Sequence, residues 1–344
     1  MNDRTTTPHP MTGFDPKFAT PEDYILGITH EIWEGRSVDT LNHYYTPDIP
    51  VRSPAGVTIG NAAVIEATNE TLREFPDRQL LGEDVIWSDD GEGGFLSSHR
   101  IFSTATHLAD GTYGKASGTR FRYRIIADCA ARENAIYDEW LIRDQGAIVA
   151  QTGVDPRDYA ASQIEDEGGT AAALRPFTPS TDPGPIYTGR GNDHVAGHRY
   201  ADMLSTVMNT PQGHGETQSG GIDGGDTIGA GYDRAVHLEV PGGRSEHGWA
   251  GARAFWSTLT DCFPGATFSI HHQIGRNDPG LGERSALRWS LDGVHEGGNR
   301  YGAPSGAEVH VMGLSHAEFG PRGVRREWIL FDDTAVWKQI LLAS

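Results

Sequence analysis

The chain has 344 residues and a formal net charge of −19, from 47 acidic residues against 28 Lys and Arg. This charge argues against nucleic acid or an anionic membrane as a partner, because both bind basic surfaces. Two cysteines, Cys129 and Cys262, are too few for a disulfide framework, so a cytoplasmic location is expected. No apolar run is long enough for a membrane helix, and the first twenty residues lack the apolar core of a signal peptide.

Helices precede strands along the first part of the chain. Residues 1–20 are polar and rich in Pro and Thr, which predicts a disordered tail. Apolar residues at helical spacing then predict three helices, beginning at Pro21, at Ser37 and at Asn61. The third ends before Phe75–Pro76, because the residue before a proline avoids helical geometry. Four β-rich runs separated by short turns follow: Leu80–Trp87, Gly94–His107, Thr119–Asp128 and Ala135–Arg143. This order predicts an α+β domain, with helices on one face of an antiparallel sheet.

The second part of the chain repeats the first. A shift of 188 residues aligns about 75 residues without a gap, and it matches residue types that are rarely matched by chance. The matched pairs are Phe75–Pro76 with Phe263–Pro264, Arg100 with Arg288, His107 with His295, Tyr113 with Tyr301, Glu139–Trp140 with Glu327–Trp328, Asp144 with Asp332, and Gln151 with Gln339. We therefore predict two domains of the same fold, 21–160 and 193–344, joined by a linker at 161–192 that is rich in Pro, Gly, Thr and Ser.

The copies differ before the aligned region. The shift is 176 at Tyr24 and Tyr200 but 187 at Tyr45 and Tyr232, so the second copy has about eleven extra residues. They fall in a Gly-rich loop at 210–225, which is either a lid or a solvated insertion.

The last strand of each copy carries the first candidate for chemistry. Trp140, Ile142 and Asp144 lie on one face of that strand, as do Trp328 and Asp332 in the second copy. An apolar pocket would raise the pKa of such an aspartate into the range of a general acid or base. The alternative is a carboxylate that only ends the strand.

Other polar residues recur as well. His107 and His295 each end a strand before a Gly-rich turn, where an imidazole can relay protons or fill a structural role. Arg100 and Arg288 are better explained by an interface or a structural pairing. Glu139 and Glu327 have the opposite parity to the aspartates, and structural ion pairs are expected of them.

Motifs for other chemistries are missing from the sequence. It contains no His-Glu-x-x-His, no Cys-x-x-Cys, no phosphate-binding Gly-rich loop followed by Lys, and no Gly-x-Ser-x-Gly. We therefore expect a site without a metal ion or a cofactor.

The chain resembles the SnoaL-like polyketide cyclase family, within the nuclear transport factor 2-like superfamily, in the order of its motifs. In the first copy these are Phe75–Pro76, Thr106–His107, Ser117–Gly118, Glu139–Trp140, Asp144 and Gln151. The resemblance covers both repeats and implies, for each, a cone of curved antiparallel sheet around about three helices, with a deep apolar pocket. It also implies that the two domains pair within one chain as a pseudo-dimer, and it leaves a further homodimer open.

The resemblance carries site residues onto this sequence. It implies that Asp144 and Asp332 act as acid–base residues and that His107 and His295 lie in the pockets. His316 is an approximate match to a second family histidine. The residues expected to contact a substrate are Trp140, Tyr45, Tyr113, Trp328, Tyr232, Tyr301 and His316.

These features favour a cofactor-independent enzyme that acts on a small, largely apolar carbonyl compound. Its aspartate would remove a proton beside the carbonyl, and the enolate would be cyclised, isomerised or dehydrated. Two alternatives are hydrolysis of an epoxide or lactone by an Asp-activated water, and a non-catalytic ligand-binding or scaffold protein. The hypothesis requires Asp144 and His107 to meet in one closed apolar pocket.

Overall fold

The computed structural model describes residues 9–184, 187–209 and 227–343. Within these ranges the chain forms two six-stranded sheets, one in each half, and each sheet packs against helices of its own half. The predicted α+β class with two cone-shaped domains is confirmed. The extra loop predicted at 210–225 lies outside the described residues.

Within the described residues, the first cone contains six strands and five α-helices, besides a π-helical turn at His30–Glu34 and a 3-10 turn at Val38–Thr40. Its helices are α1 (Pro21–Thr29), α2 (Leu41–Tyr44), α3 (Asn61–Glu74), α4 (Gln145–Gln151) and α5 (Pro156–Asp166). Its strands are β1 (Pro50–Ser53), β2 (Gly56–Ile59), β3 (Gln79–Asp89), β4 (Phe95–Thr106), β5 (Arg120–Arg132) and β6 (Ala135–Arg143). The sheet order is β2-β1-β6-β5-β4-β3, in which only β1 and β6 run parallel.

The second cone repeats this topology. Its described helices are α6 (Val195–Asn209), α7 (Thr227–Gly231), α8 (Gly248–Thr260) and α9 (Asp333–Leu342). Its strands are β7 (Tyr232–Val240), β8 (Arg244–His247), β9 (Thr267–Arg276), β10 (Arg284–Val294), β11 (Glu308–Gly320) and β12 (Gly323–Leu330). The order β8-β7-β12-β11-β10-β9, with β7 parallel to β12, matches the first sheet strand for strand.

Two segments predicted to be irregular are packed into the protein. Within the predicted tail, Phe14 and Phe18 are buried in the core of the first cone, and Phe14 stacks on Phe95 with 5.3 Å between ring centroids. Within the predicted linker, α5 continues to Asp166 and Phe177 is buried between the sheets. The polar composition concealed these contacts, because one or two aromatic side chains are enough to fix a short segment.

The outer faces of the two sheets pack against each other. The guanidinium of Arg100 lies 3.5 Å from the centroid of the Trp328 ring, and that of Arg288 lies 4.2 Å from the Trp140 ring. These two contacts are equivalent under the repeat, and each joins one cone to the other. The interface role expected of the two arginines is therefore confirmed, and stacking on an aromatic face is a favourable geometry for Arg.

The interiors of the two cones are packed differently. In the first cone, Ile101 on β4 pairs with Ile125 on β5. In the second cone the equivalent pair is Trp289 and Gly313, and a Cβ added to Gly313 would lie 2.1 Å from the Trp289 ring. The glycine is therefore required for the tryptophan to fit, and a larger ring fills the second interior.

We predict that Phe14→Ala lowers the free energy of unfolding by about 3 kcal/mol, because it removes a buried aromatic ring from the core. Urea denaturation measures this change. Leu174→Ala is the matched control, since Leu174 is 69% exposed and its truncation is expected to change stability by less than about 0.5 kcal/mol. Equal effects of the two substitutions would contradict the packing of residues 9–20 on the core.

Candidate functional site

A cavity of about 390 Å³ lies inside the first cone, between the helices and the inner face of the sheet. Most of its wall is apolar, and a few ionisable side chains reach it. The apolar wall includes Ile25, Ile28, Trp33, Val64, Ala67, Ile101, Ile125, Ile136 and Leu141. The polar lining includes Tyr45, Arg78, His99, Glu139, Arg143 and Asp332. A mostly apolar wall with few polar groups is typical of small-molecule sites.

Strand β6 places Glu139 in this cavity. Successive side chains alternate across a strand, so Glu139, Leu141 and Arg143 face the cavity. Trp140 and Ile142 face the other sheet instead, where they pack near Phe177. The face of β6 that was predicted to be catalytic, with Trp140 and Ile142, therefore lies in the interface between the sheets. The opposite face, with Glu139, lines the cavity.

The carboxyl group of Glu139 is buried against apolar side chains. Burial raises its pKa to about 7, although the Tyr45 hydroxyl lowers it in part by hydrogen bonding. A carboxyl group with a pKa close to neutral can both take up and release a proton at physiological pH. A structural ion pair was expected of Glu139 from the sequence. The overlooked feature is that Glu139 lies on the same strand face as the apolar Leu141.

His99 lines the same cavity from β4 and was not predicted. Burial lowers its pKa to about 3, so the imidazole is neutral at physiological pH. Its Nε2 atom is buried and has no hydrogen-bond partner. A neutral imidazole can donate or accept one hydrogen bond at that nitrogen, so it can bind a polar atom of a ligand.

Asp332 reaches the first cavity from the second half of the chain. It caps α9 by accepting from the Thr334 backbone N–H at 2.9 Å, and its other oxygen accepts from the Gln145 side chain at 3.3 Å. Burial raises its pKa to about 6. Of the four residues predicted to be catalytic, Asp332 alone lines this cavity. It belongs to the second domain, whereas the cavity lies in the first.

Asp144 and His107 do not line the cavity, so the structure does not bring them together as the hypothesis required. The Asp144 carboxylate caps α4 at the Ala147 N–H and also accepts from the backbone N–H groups of Gly242 and Gly243, at 3.0–3.1 Å. Burial raises its pKa to about 6, but its oxygens are engaged by backbone donors. Its role in the structure is to join the two halves.

The two predicted histidines lie in loops beside the strand ends. His107 Nδ1 contacts the Ser117 hydroxyl at 3.2 Å, and its Nε2 lies 3.1 Å from a carboxylate oxygen of Glu74. That carboxylate also accepts from the backbone N–H of Tyr113. His295 makes the matching contact with Ser305, at 2.9 Å. Both histidines therefore fix the loop after their strand.

Most of the residues predicted to contact a substrate lie outside the cavity. Tyr45 lines the cavity, as expected. The other six residues make contacts within the protein: Trp140 and Trp328 with the interface arginines, Tyr113 with Gln145, Tyr232 with Glu327, Tyr301 with Asp333, and His316 with Ser98 and Arg100. Aromatic residues of the last strand contact the partner sheet because that face is buried in the interface.

In the second cone the same positions carry larger or apolar side chains. Under the 188-residue shift, His99 and Arg143 of the first cavity correspond to Leu287 and Phe331, both of which are buried. Glu139 corresponds to Glu327, which accepts from Tyr200 at 2.6 Å and from Tyr232 at 2.7 Å. The described part of the second cone therefore has a filled core and a carboxyl group that is already satisfied.

In the described ranges, no group of three or more His, Cys, Asp or Glu side chains is placed to hold a metal ion. In the same ranges, no helix is both long and apolar enough to cross a membrane.

We predict that Asp144→Ala lowers the free energy of unfolding by about 1–3 kcal/mol, because the buried N–H of Ala147 and the backbone N–H groups of Gly242 and Gly243 lose their acceptor. Asp144→Ser should be intermediate, since a serine can still cap α4 but is too short to reach Gly242 and Gly243. Urea denaturation of the two variants separates the cap from the contact between the halves. No loss of stability in either would contradict this structural role.

Solved structures that match this chain cover about two fifths of it. IdmH from Streptomyces antibioticus, a candidate polyketide cyclase, is 24% identical, with 39% of this chain and 99% of that chain covered and a TM-score of 0.35. AclR from Streptomyces galilaeus, a candidate hydroxylase, is 18% identical, with coverages of 38% and 94% and a TM-score of 0.34. A SnoaL-like polyketide cyclase from Agrobacterium tumefaciens is 19% identical, with coverages of 43% and 98% and a TM-score of 0.31. No family model matches the chain, and no curated protein matches it significantly. The structures similar to this chain thus include the SnoaL-like polyketide cyclases that its sequence resembles.

Proposed function

We propose that the first cone catalyses proton transfer on a small, largely apolar carbonyl compound, with Glu139 as the general acid–base residue. The observation that carries this proposal is the Glu139 carboxyl group in an apolar cavity, with its pKa raised to about 7 by burial. The proposal keeps the reaction class expected from the sequence and moves it from Asp144 to Glu139.

The reaction begins with removal of a proton from the carbon beside the carbonyl group. Glu139 takes the proton, and the electron pair of the broken C–H bond forms an enolate. Protonated Glu139 then returns the proton to another carbon, to a leaving hydroxyl group or to the alkoxide of a newly closed ring. These three outcomes are isomerisation, dehydration and cyclisation, and each leaves the enzyme unchanged.

The enolate oxygen needs a hydrogen-bond donor, because charge develops there as the proton leaves. The free Nε2 of His99 is a neutral candidate in the cavity wall, whereas the Tyr45 hydroxyl is already hydrogen-bonded to Glu139. A neutral donor suits this purpose, because it stabilises the enolate without giving up its own proton.

Among the described residues, the groups that this chemistry requires come together in the first cone. Glu327 of the second cone is buried and its pKa is also raised to about 7, but both of its oxygens accept hydrogen bonds from tyrosines. The rings of Trp256, Trp289 and Phe331 pack against one another in the core of this cone. We assign the second cone a structural role.

We predict that the protein accelerates exchange of the C1 protons of 2-tetralone in D₂O and that Glu139→Gln lowers this rate by about 100-fold or more, because the glutamine cannot accept the proton. Proton NMR measures the exchange directly, and 2-tetralone is a small apolar ketone with acidic protons beside its carbonyl group. Glu327→Gln is the matched control and should leave the rate unchanged. A wild-type rate equal to the background, or equal losses in the two variants, would overturn the proposal.

The pH dependence of this exchange follows from the pKa of Glu139. The carboxylate is the reactive form, and it becomes the main form as the pH rises through about 7. We therefore predict a rate that increases about tenfold per pH unit well below 7 and levels off above it. A rate that is already constant at pH 5 would indicate a base with an ordinary carboxyl pKa, and would contradict the assignment.

A further inference from the structure

Two arginines project into the first cavity without an acidic partner. Arg78 and Arg143 both line it, and Nε and Nη1 of Arg78 and Nε of Arg143 are buried without a hydrogen-bond partner. The groups beside them are the hydroxyls of Tyr123 and Tyr113 rather than carboxylates. Neither guanidinium forms an ion pair within the described residues.

Leaving a buried guanidinium without a counter-charge is unfavourable, because desolvation is not offset by an opposite charge. Burial lowers the pKa of Arg78, and the charge of Arg143 lowers it further. An arginine nevertheless stays protonated in proteins. The cavity therefore holds two positive charges close together, and neither is paired with a carboxylate of the described residues.

The second cone shows that the fold does not need these charges. Under the 188-residue shift, Ala266 replaces Arg78 and Phe331 replaces Arg143, while the strands keep their order. Both arginines are thus replaced by uncharged residues in the second copy, whose interior is filled. Their presence in the first copy is linked to the cavity rather than to folding.

We infer that the ligand of the first cone carries a carboxylate group, which Arg78 and Arg143 bind together. This inference rests on the proposed use of the cavity as a substrate site, and it names the class of substrate as a small apolar carbonyl compound that is also a carboxylic acid. The planar fork of a guanidinium matches the two oxygens of a carboxylate. A single negative charge suits the site better than a phosphate dianion, because Glu139 and Asp332 already contribute acidic groups to the wall.

Binding of 2-naphthoate and of its neutral isostere 2-naphthamide, compared by calorimetry at pH 8, tests the inference. The wild-type protein should bind the carboxylate about tenfold more tightly or better, as expected for hydrogen bonds between charged groups. Arg78→Ala and Arg143→Phe, which introduce the residues of the second copy, should abolish this preference. Arg122→Ala is the control, because Arg122 carries the same charge on the exposed face of β5 and should leave the preference intact.

The folding of the variants is checked by their Tm without ligand. Removal of an unpaired buried charge should leave the Tm unchanged or raise it. A large fall in Tm in both variants would show that the arginines serve the fold and would overturn the inference.

The remaining outcomes separate this inference from the proposed function. Equal affinity for the naphthoate and the naphthamide would overturn the carboxylate alone, while exchange of 2-tetralone protons would still support Glu139. Much tighter binding of 2-naphthyl phosphate than of 2-naphthoate would replace the carboxylate by a phosphate. Binding of none of the three ligands would overturn the inference, and 2-tetralone exchange then decides the proposed function separately.

Discussion

Burial of both faces of each sheet is the constraint on which the rest of the structure depends. The inner face packs on the helices of its own cone, and the outer face packs on the other sheet through the reciprocal stacking of Arg100 on Trp328 and Arg288 on Trp140. Strands β4 and β6 therefore supply one set of side chains to an interior and another to the interface. On β6 this division separates Glu139, in the cavity, from Trp140, in the interface.

The two interiors have different roles: the second is packed for stability, and the first holds the site of the proposed chemistry. A cavity with an unpaired Arg143 and a protonatable Glu139 is unfavourable for folding, because it forgoes packing and buries charge. In the second cone Phe331 takes the position of Arg143 and Trp289 takes that of Ile101, and the core is continuous. Contacts such as that of Asp144 with Gly242 and Gly243 hold the cavity-bearing half against the well-packed half.

Much of the fold could be predicted from the sequence. The shift that places Phe75–Pro76 on Phe263–Pro264 revealed two copies, and the change from helical to alternating spacing located the strands. The site was harder to predict, because a strand buried on both faces has no polar face to mark the outside. Trp140 and Asp144, which lie on one face of β6, were therefore predicted to line a pocket. The missing information lay in the difference between the copies at Arg143 and Phe331. A site that is present in one copy is marked by residues that the other copy lacks.

Covalent fusion of the two cones has an evolutionary consequence. In a symmetric homodimer each substitution occurs twice, once in each subunit, so a tryptophan that closes one pocket closes both. In this chain Trp289 faces Gly313, which leaves room for its ring, whereas Ile101 and Ile125 hold the equivalent positions of the first cone. Two copies joined in one chain can thus differ in sequence, so that one interior is filled while the other holds a cavity.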